Sequence, residues 1–210
     1  MAVYQLNEEC SFPDPHYGEP DGLLAVGGDL TIDRLILAYS NGIFPWPNEE
    51  DMLMWFCPLK RFVIFPNEVH ISHSMRTFLN KTSYRISFNR AFEEVIYNCS
   101  EMRKGETWIF DNIKSAYIEL HKQGFAVSVE VWDDEQLVGG LYGVNLGKSF
   151  FGESMFSKVP NASKLALIGL AEFMEENGGI IIDCQMETPH LKSMGGRYID
   201  YDEYISLIRE

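Results

Sequence analysis

At 210 residues and 46% hydrophobic content the chain can bury a sizeable core, which excludes a disordered or fibrous protein. Its formal charge of −14 argues against general nucleic-acid binding, because phosphate contacts need Lys and Arg. No apolar run approaches the ~20 residues that cross a bilayer, and the N-terminus lacks the basic and apolar regions of a signal peptide. A cytoplasmic protein is therefore expected, with Cys10, Cys57, Cys99 and Cys184 as reduced thiols, since they show no C-x-x-C spacing.

In chain order, turn-rich segments run to Gly27-Gly28-Asp29, and Thr31 is placed to cap a short helix carrying Leu35, Ile36 and Tyr39, ended by Asn41-Gly42. Ile43-Phe44-Pro45-Trp46 follows as an apolar loop whose rings need cover. Residues 61–65 read as a strand, 72–79 as a helix and 84–88 as a strand leading into a helix with Phe92, Val95, Ile96 and Cys99 on one side. The segment 56–104 is the one basic stretch, with Lys60, Arg61, Arg76, Lys81, Arg85, Arg90, Arg103 and Lys104; taken alone it is an ordinary solvated surface.

The second half is more regular. A helix from about Asp111 repeats Ile113, Ala116, Tyr117 and Leu120 and stops at Gly124; strands at 125–132, 137–144 and 149–156 form an antiparallel meander. Asn161 then caps a helix with Leu165, Leu167, Ile168, Leu170, Phe173 and Met174, and Ile180 to Asp183 completes the unit as a strand. That order is the one found in an acetyltransferase-like core. The expected class is α+β, with an acetyltransferase-like (GNAT-like) C-terminal core at 105–210 built on a mixed, largely antiparallel sheet. A smaller α+β N-terminal domain precedes it, in which 1–60 form an arm and helix packed on the core and 61–104 the remainder.

A carboxylate ending an apolar strand is costly to bury unpaired, so Asp183 calls for a partner or a strand mouth. On an extended chain Gln185 would share its face, and the pair could grip one ligand or simply cap a neighbouring loop. Glu153 interrupts a strand of Phe, Gly and Met; it suits an amino group beside an apolar side chain, or equally a structural salt bridge. Phosphate-binding, metalloprotease and serine-hydrolase motifs are missing from the sequence, and the five histidines form no ligand cluster. No resident metal or cofactor is expected. The turn from Lys158 to Lys164 also lacks the glycines with which an acetyltransferase cradles the pyrophosphate of CoA.

The stretches 22–30, 42–46, Thr107-Trp108-Ile109, Ala116-Tyr117, 137–143, 152–157, 161–164 and 182–185 together resemble the leucyl/phenylalanyl-tRNA–protein transferases. The chain departs from the family's usual pattern at Trp55-Phe56-Cys57-Pro58 and at Val127-Ser128-Val129-Glu130. The resemblance implies transfer of Leu, Phe or Met from aminoacyl-tRNA, the co-substrate, to the N-terminal Arg or Lys of an acceptor protein, marking it for N-end-rule degradation. It places the terminal adenosine on Trp46 and Trp108 with Tyr117 nearby. The transferred side chain would sit among Leu141, Phe150, Met155, Leu167, Leu170 and Ile182. Glu153 would meet the aminoacyl group, with Asp183 and Gln185 at the reaction centre, Asp183 either helping to deprotonate the amine or binding the acceptor's cation. Lys60, Arg61, Arg76, Lys81 and Arg85 would dock the tRNA acceptor arm. The alternatives are an acyl-CoA-dependent N-acyltransferase and a non-enzymatic adaptor that binds N-terminal residues.

Overall fold

The computed structural model describes residues 3–47, 52–102 and 107–209; Arg103 and Lys104 of the basic stretch lie outside them. Strands β1 (Tyr4–Leu6), β2 (Leu23–Gly27), β3 (Phe44–Pro45) and β4 (Met54–Phe56) make a small sheet in the order β1-β2-β4-β3. Only β1 and β2 run parallel. Helix α1 (Ile32–Ser40) lies between β2 and β3 in the chain and buries Leu35, Ala38 and Tyr39. Thr31 stands at its N-cap, yet its hydroxyl donates to Asp29 instead of receiving a helix N–H.

The larger sheet has seven strands in the order β11-β5-β10-β9-β8-β7-β6. They are β5 (Lys60–Ile64), β6 (Arg85–Phe88), β7 (Ala126–Asp133), β8 (Gln136–Leu146), β9 (Ser149–Ser157), β10 (Ile181–Asp183) and β11 (Arg197–Asp200). All neighbours are antiparallel except β9 and β10. A boundary at residue 104 is therefore corrected: β5 and β6, expected in an N-terminal domain, hydrogen-bond into the sheet of the C-terminal half. The physical reason is that the backbone groups of both short strands need pairing, and β10, β11 and β7 supply it.

The strand alternation sends Phe150 to one face and Phe151 to the other. On the first face lie α2 (His73–Leu79), α5 (Ala162–Glu176) and α6 (Pro189–Ser193), packed through Met75, Leu167, Leu170 and Leu191. On the second lie α3 (Phe92–Glu101), α4 (Asp111–Lys122) and α7 (Tyr201–Ile208), with Phe92, Tyr117 and Tyr204. Ser72 caps α2 by accepting the Met75 N–H at 3.2 Å. Asn161 does not cap α5: its backbone is left-handed at φ 71°, and the Ser163 N–H is taken up by Ser157 Oγ at 3.1 Å instead. No helix among the described residues is long and apolar enough to cross a membrane.

Candidate active site

A cavity of about 570 Å3 opens where β8, β9, β10 and α5 meet the Phe44–Trp46 segment and Trp108. Its apolar floor is Leu141, Phe150, Met155, Leu167, Leu170 and Ile182, all six expected there from the resemblance. Trp46 and Trp108 form part of the rim, both partly buried against the second-face core. Met155 makes the floor adaptable, a surface that can remould around a Leu- or Phe-sized group.

Glu153 enters this cavity because of a fault in the sheet. Tyr142 pairs with Ser154 and Gly143 with Gly152, so Glu153 is left over as the extra residue of a β-bulge. A regular strand would have sent it to the face dictated by simple alternation. The bulge is built on glycine: a Cβ at Gly143 would stand 2.2 Å from the Phe151 carbonyl oxygen. Gly152 likewise keeps the backbone near the Asp183 carbonyl, which a Cβ would approach to 3.4 Å.

The Glu153 carboxylate receives the Tyr39 hydroxyl at 2.6 Å, the Tyr117 hydroxyl at 3.0 Å and the Gln185 side-chain amide at 3.4 Å. Burial raises its pKa from 4.5 to about 7; the two hydroxyls hold it down, the Asp183 charge adds to the rise and Arg61 opposes it. Counting protons points the same way. The two hydroxyls also touch each other, giving three oxygen contacts in a triangle. With Glu153 ionised, two protons serve three contacts; a protonated Glu153 supplies the third. Both tyrosines have their pKa raised, by burial first and by the Glu153 charge next. Glu153 stays partly exposed to the cavity, so a substrate that fills it would push the carboxyl up further.

Asp183 differs from its expected place. It is 1% exposed and does not line the cavity. One carboxylate oxygen accepts the Tyr204 hydroxyl at 2.7 Å, and the other accepts the Gln185 backbone N–H at 2.9 Å and lies 3.7 Å from Arg61 Nε. Gln185 does not share its face by strand alternation. The strand ends at Asp183 and Gln185 turns left-handed, φ 56°, which carries its side chain back to the cavity wall. Asp183 thus holds the turn and Gln185 reaches the site.

Arg61 is the second correction. Expected to dock tRNA, it is fully buried, with its guanidinium over the Phe44 ring at 5.0 Å and the Tyr204 ring at 4.6 Å and donating to the Gly42 carbonyl. Burial opposes its charge most, but Asp183 together with Tyr204, Cys57 and Tyr201 raises its pKa on balance. Tyr117, expected near the adenosine, is also fully buried and meets the site through its hydroxyl on Glu153 and its ring against Tyr142. The other docking residues are exposed, but Lys60 and Arg85 stand apart. Lys60 is on β5 and Arg85 on β6, five strand spacings away across the sheet, ~24 Å. Arg85 also donates to the Asp134 carbonyl at 2.6 Å.

Tyr39, Tyr204 and the rim residues Thr188 and His190 belong to the site without having been singled out. Tyr39 looks like one more member of an apolar helix stripe, and only its hydroxyl could have marked it. Cys184 lines the cavity, but burial pushes its thiol well up, so it is no nucleophile. Ser154 Oγ and His190 Nε2 are buried without a partner among the described residues, and burial followed by the Lys164 charge keeps His190 neutral. No group of three metal-ligating side chains occurs among the described residues.

Two family models match the chain: leucyl/phenylalanyl-tRNA protein transferase at residues 63–209, and the N-terminal domain of that family at 28–59. A leucyl/phenylalanyl-tRNA–protein transferase of Flavobacterium psychrophilum is 48% identical over 99% of this chain and 100% of its own. Those of Flavobacterium johnsoniae and Syntrophobacter fumaroxidans are 49% and 47% identical, over 99% and 91% of their lengths. Among solved structures, L-PGS from Bacillus licheniformis aligns with 76% of this chain and 51% of its own at 12% identity and a TM-score of 0.43, too distant to carry an argument.

Proposed function

Because the chain belongs to the leucyl/phenylalanyl-tRNA–protein transferase family, we propose that its cavity brings an aminoacyl ester and an acceptor amine together over Glu153 and Gln185. The enzyme is an aminoacyltransferase that carries an amino acid from tRNA to the N-terminus of a protein, a step consistent with N-end-rule degradation. Trp46 and Trp108 hold the terminal adenosine, where stacking on aromatic faces supplies ~1–3 kcal/mol per base. The floor from Leu141 to Ile182 takes the Leu, Phe or Met side chain. The acceptors begin with Arg or Lys, the reaction runs in the cytoplasm, and no resident cofactor is needed because the ester is already activated.

In the step itself the acceptor nitrogen forms a bond to the ester carbonyl carbon, giving a tetrahedral intermediate. The carbon–oxygen bond then breaks and the ribose hydroxyl leaves with a proton. An α-amine with a pKa of ~8 must first lose a proton, and a base near the working pH suits that transfer. Glu153 fits: it is in the cavity and its carboxyl sits at about 7. Asp183 is a positioning residue, fixing the turn from which Gln185 orients the amine. The description as acetyltransferase-like belongs to the same proposal, supported by the β7-β8-β9 meander, α5 and a β10 that runs parallel to β9.

The observation that carries this reading is the bulge that sets Glu153 beside Gln185 over an apolar floor. Leucyl-tRNA and a peptide beginning with Arg should yield a peptide heavier by one Leu residue. No such product with any basic acceptor would overturn the reading.

A further inference from the structure

We propose that a second cleft, lined by Lys164, Lys192, His70, Ser72 and Ser193, binds phosphodiester groups of the tRNA strand just upstream of the terminal adenosine. The inference rests on the reading above and locates the part of the donor that the main cavity leaves unserved.

Among the described residues the donor cavity has no Lys or Arg in its lining to neutralise the phosphates that lead up to the adenosine. The neighbouring cleft, about 610 Å3, has the reverse character. Its polar side chains are ammonium, hydroxyl and imidazole groups, and it contains no carboxylate. In a chain of charge −14 that is an unusual lining, and a polyanion needs such a place to come down. No carboxylate among the described residues pairs with Lys164. Among the described residues Lys192 pairs only with Glu187, at 2.8 Å on an exposed surface, a pairing weak enough for a phosphate to displace.

The two cavities are lined by neighbouring residues of the same helices. Ser163 lines the donor cavity and Lys164 the cleft; His190 and Leu191 line the donor cavity, and Lys192 and Ser193 the cleft. His190 on the donor side feels the Lys164 charge, which after burial helps lower its pKa. An anion seated on Lys164 and Lys192 is therefore next to the donor pocket. Basic acceptor termini would be repelled from the same place, which leaves the cleft to the nucleic acid.

The test compares two donors on the double variant Lys164→Gln/Lys192→Gln: leucyl-tRNA, and leucyl-adenosine, which has the ester and the base but no internucleotide phosphate. KM for leucyl-tRNA should rise roughly tenfold, and its log–log salt dependence should flatten by about 1.4, ~0.7 for each lost single-strand contact. KM for leucyl-adenosine should hardly move, and Lys164→Arg/Lys192→Arg should keep the tRNA affinity. Equal losses with both donors, an unchanged KM for leucyl-tRNA or an unchanged salt slope would each overturn the cleft. Failure of the wild-type enzyme on leucyl-tRNA, by contrast, would overturn the transferase reading itself.

Discussion

Asp183 and Glu153 are carboxylates on adjoining strands of one sheet, and the protein accommodates them in opposite ways. Asp183 is given a cation, Arg61, and a hydroxyl, Tyr204, and is then sealed from the cavity. Glu153 receives hydroxyls and an amide but no cation, so burial is offset in part by protonation, and the group is left facing the cavity. The difference separates structure from chemistry. A compensated charge fixes a turn, whereas an uncompensated one can take or release a proton at neutral pH.

The sharpest way to break this comparison is to remove the compensation. Arg61→Met should leave Asp183 buried and unpaired and cost about 3–5 kcal/mol of stability, read from urea unfolding. Adding Asp183→Asn should recover part of that loss, because the stranded charge goes with it. A cost for Arg61→Met below about 1 kcal/mol would show that the pair is not what holds the turn.

Glu153→Gln attacks the other half. A carboxyl held at about 7 when folded, against 4.5 in a free chain, keeps its proton in the native state after the unfolded state has lost it. Wild-type stability therefore falls as pH rises from about 4.5 to 7, by something on the order of 3 kcal/mol, and the Gln variant should lack that slope. Transfer should drop by roughly 100-fold, and the rise in rate through pH 7 should vanish. An intact rise would assign the base elsewhere. Gly143→Ala reaches the same carboxyl indirectly: its methyl must displace the Phe151 carbonyl. It should cost ~1–3 kcal/mol and reduce transfer by withdrawing Glu153 from the cavity, with tRNA binding retained.

The comparison also explains what could be read from the sequence. Helices α1 to α5 and strands β5 to β10 follow hydrophobic periodicity and capping or turn residues, so they were legible. Strands β1 to β4, set among turn-rich segments and an apolar loop, were not foreseen, nor were α6, β11 and α7. Within the site, the apolar floor was foreseen because the resemblance supplied its positions; strand alternation alone would have put Phe150 and Met155 on opposite faces, and the bulge brings them together. Arg61 was misplaced because a cation at a strand start looks like surface until the Asp183 partner, 122 positions away, is brought beside it. Gln185 was placed in the site for the wrong reason, since its left-handed turn has no signature in a residue that seldom adopts one.

The smallest expected effect is the most discriminating. Tyr39→Phe and Tyr117→Phe each delete one donor to Glu153 while keeping the ring contacts with Phe151 and Tyr142. A hydroxyl that donates to a carboxylate stabilises its charged form, so losing one should raise the Glu153 pKa and shift the rise in the rate profile to higher pH, at ~1 kcal/mol or less of stability. The opposing effect comes from the triangle. With one hydroxyl gone, a single remaining oxygen contact is served even by ionised Glu153, and the demand for a third proton disappears. If the rise instead moved to lower pH, the shared-proton triangle, and not burial, would be what holds the carboxyl up. Because burial is the larger influence and is untouched by either substitution, we expect the upward shift in both.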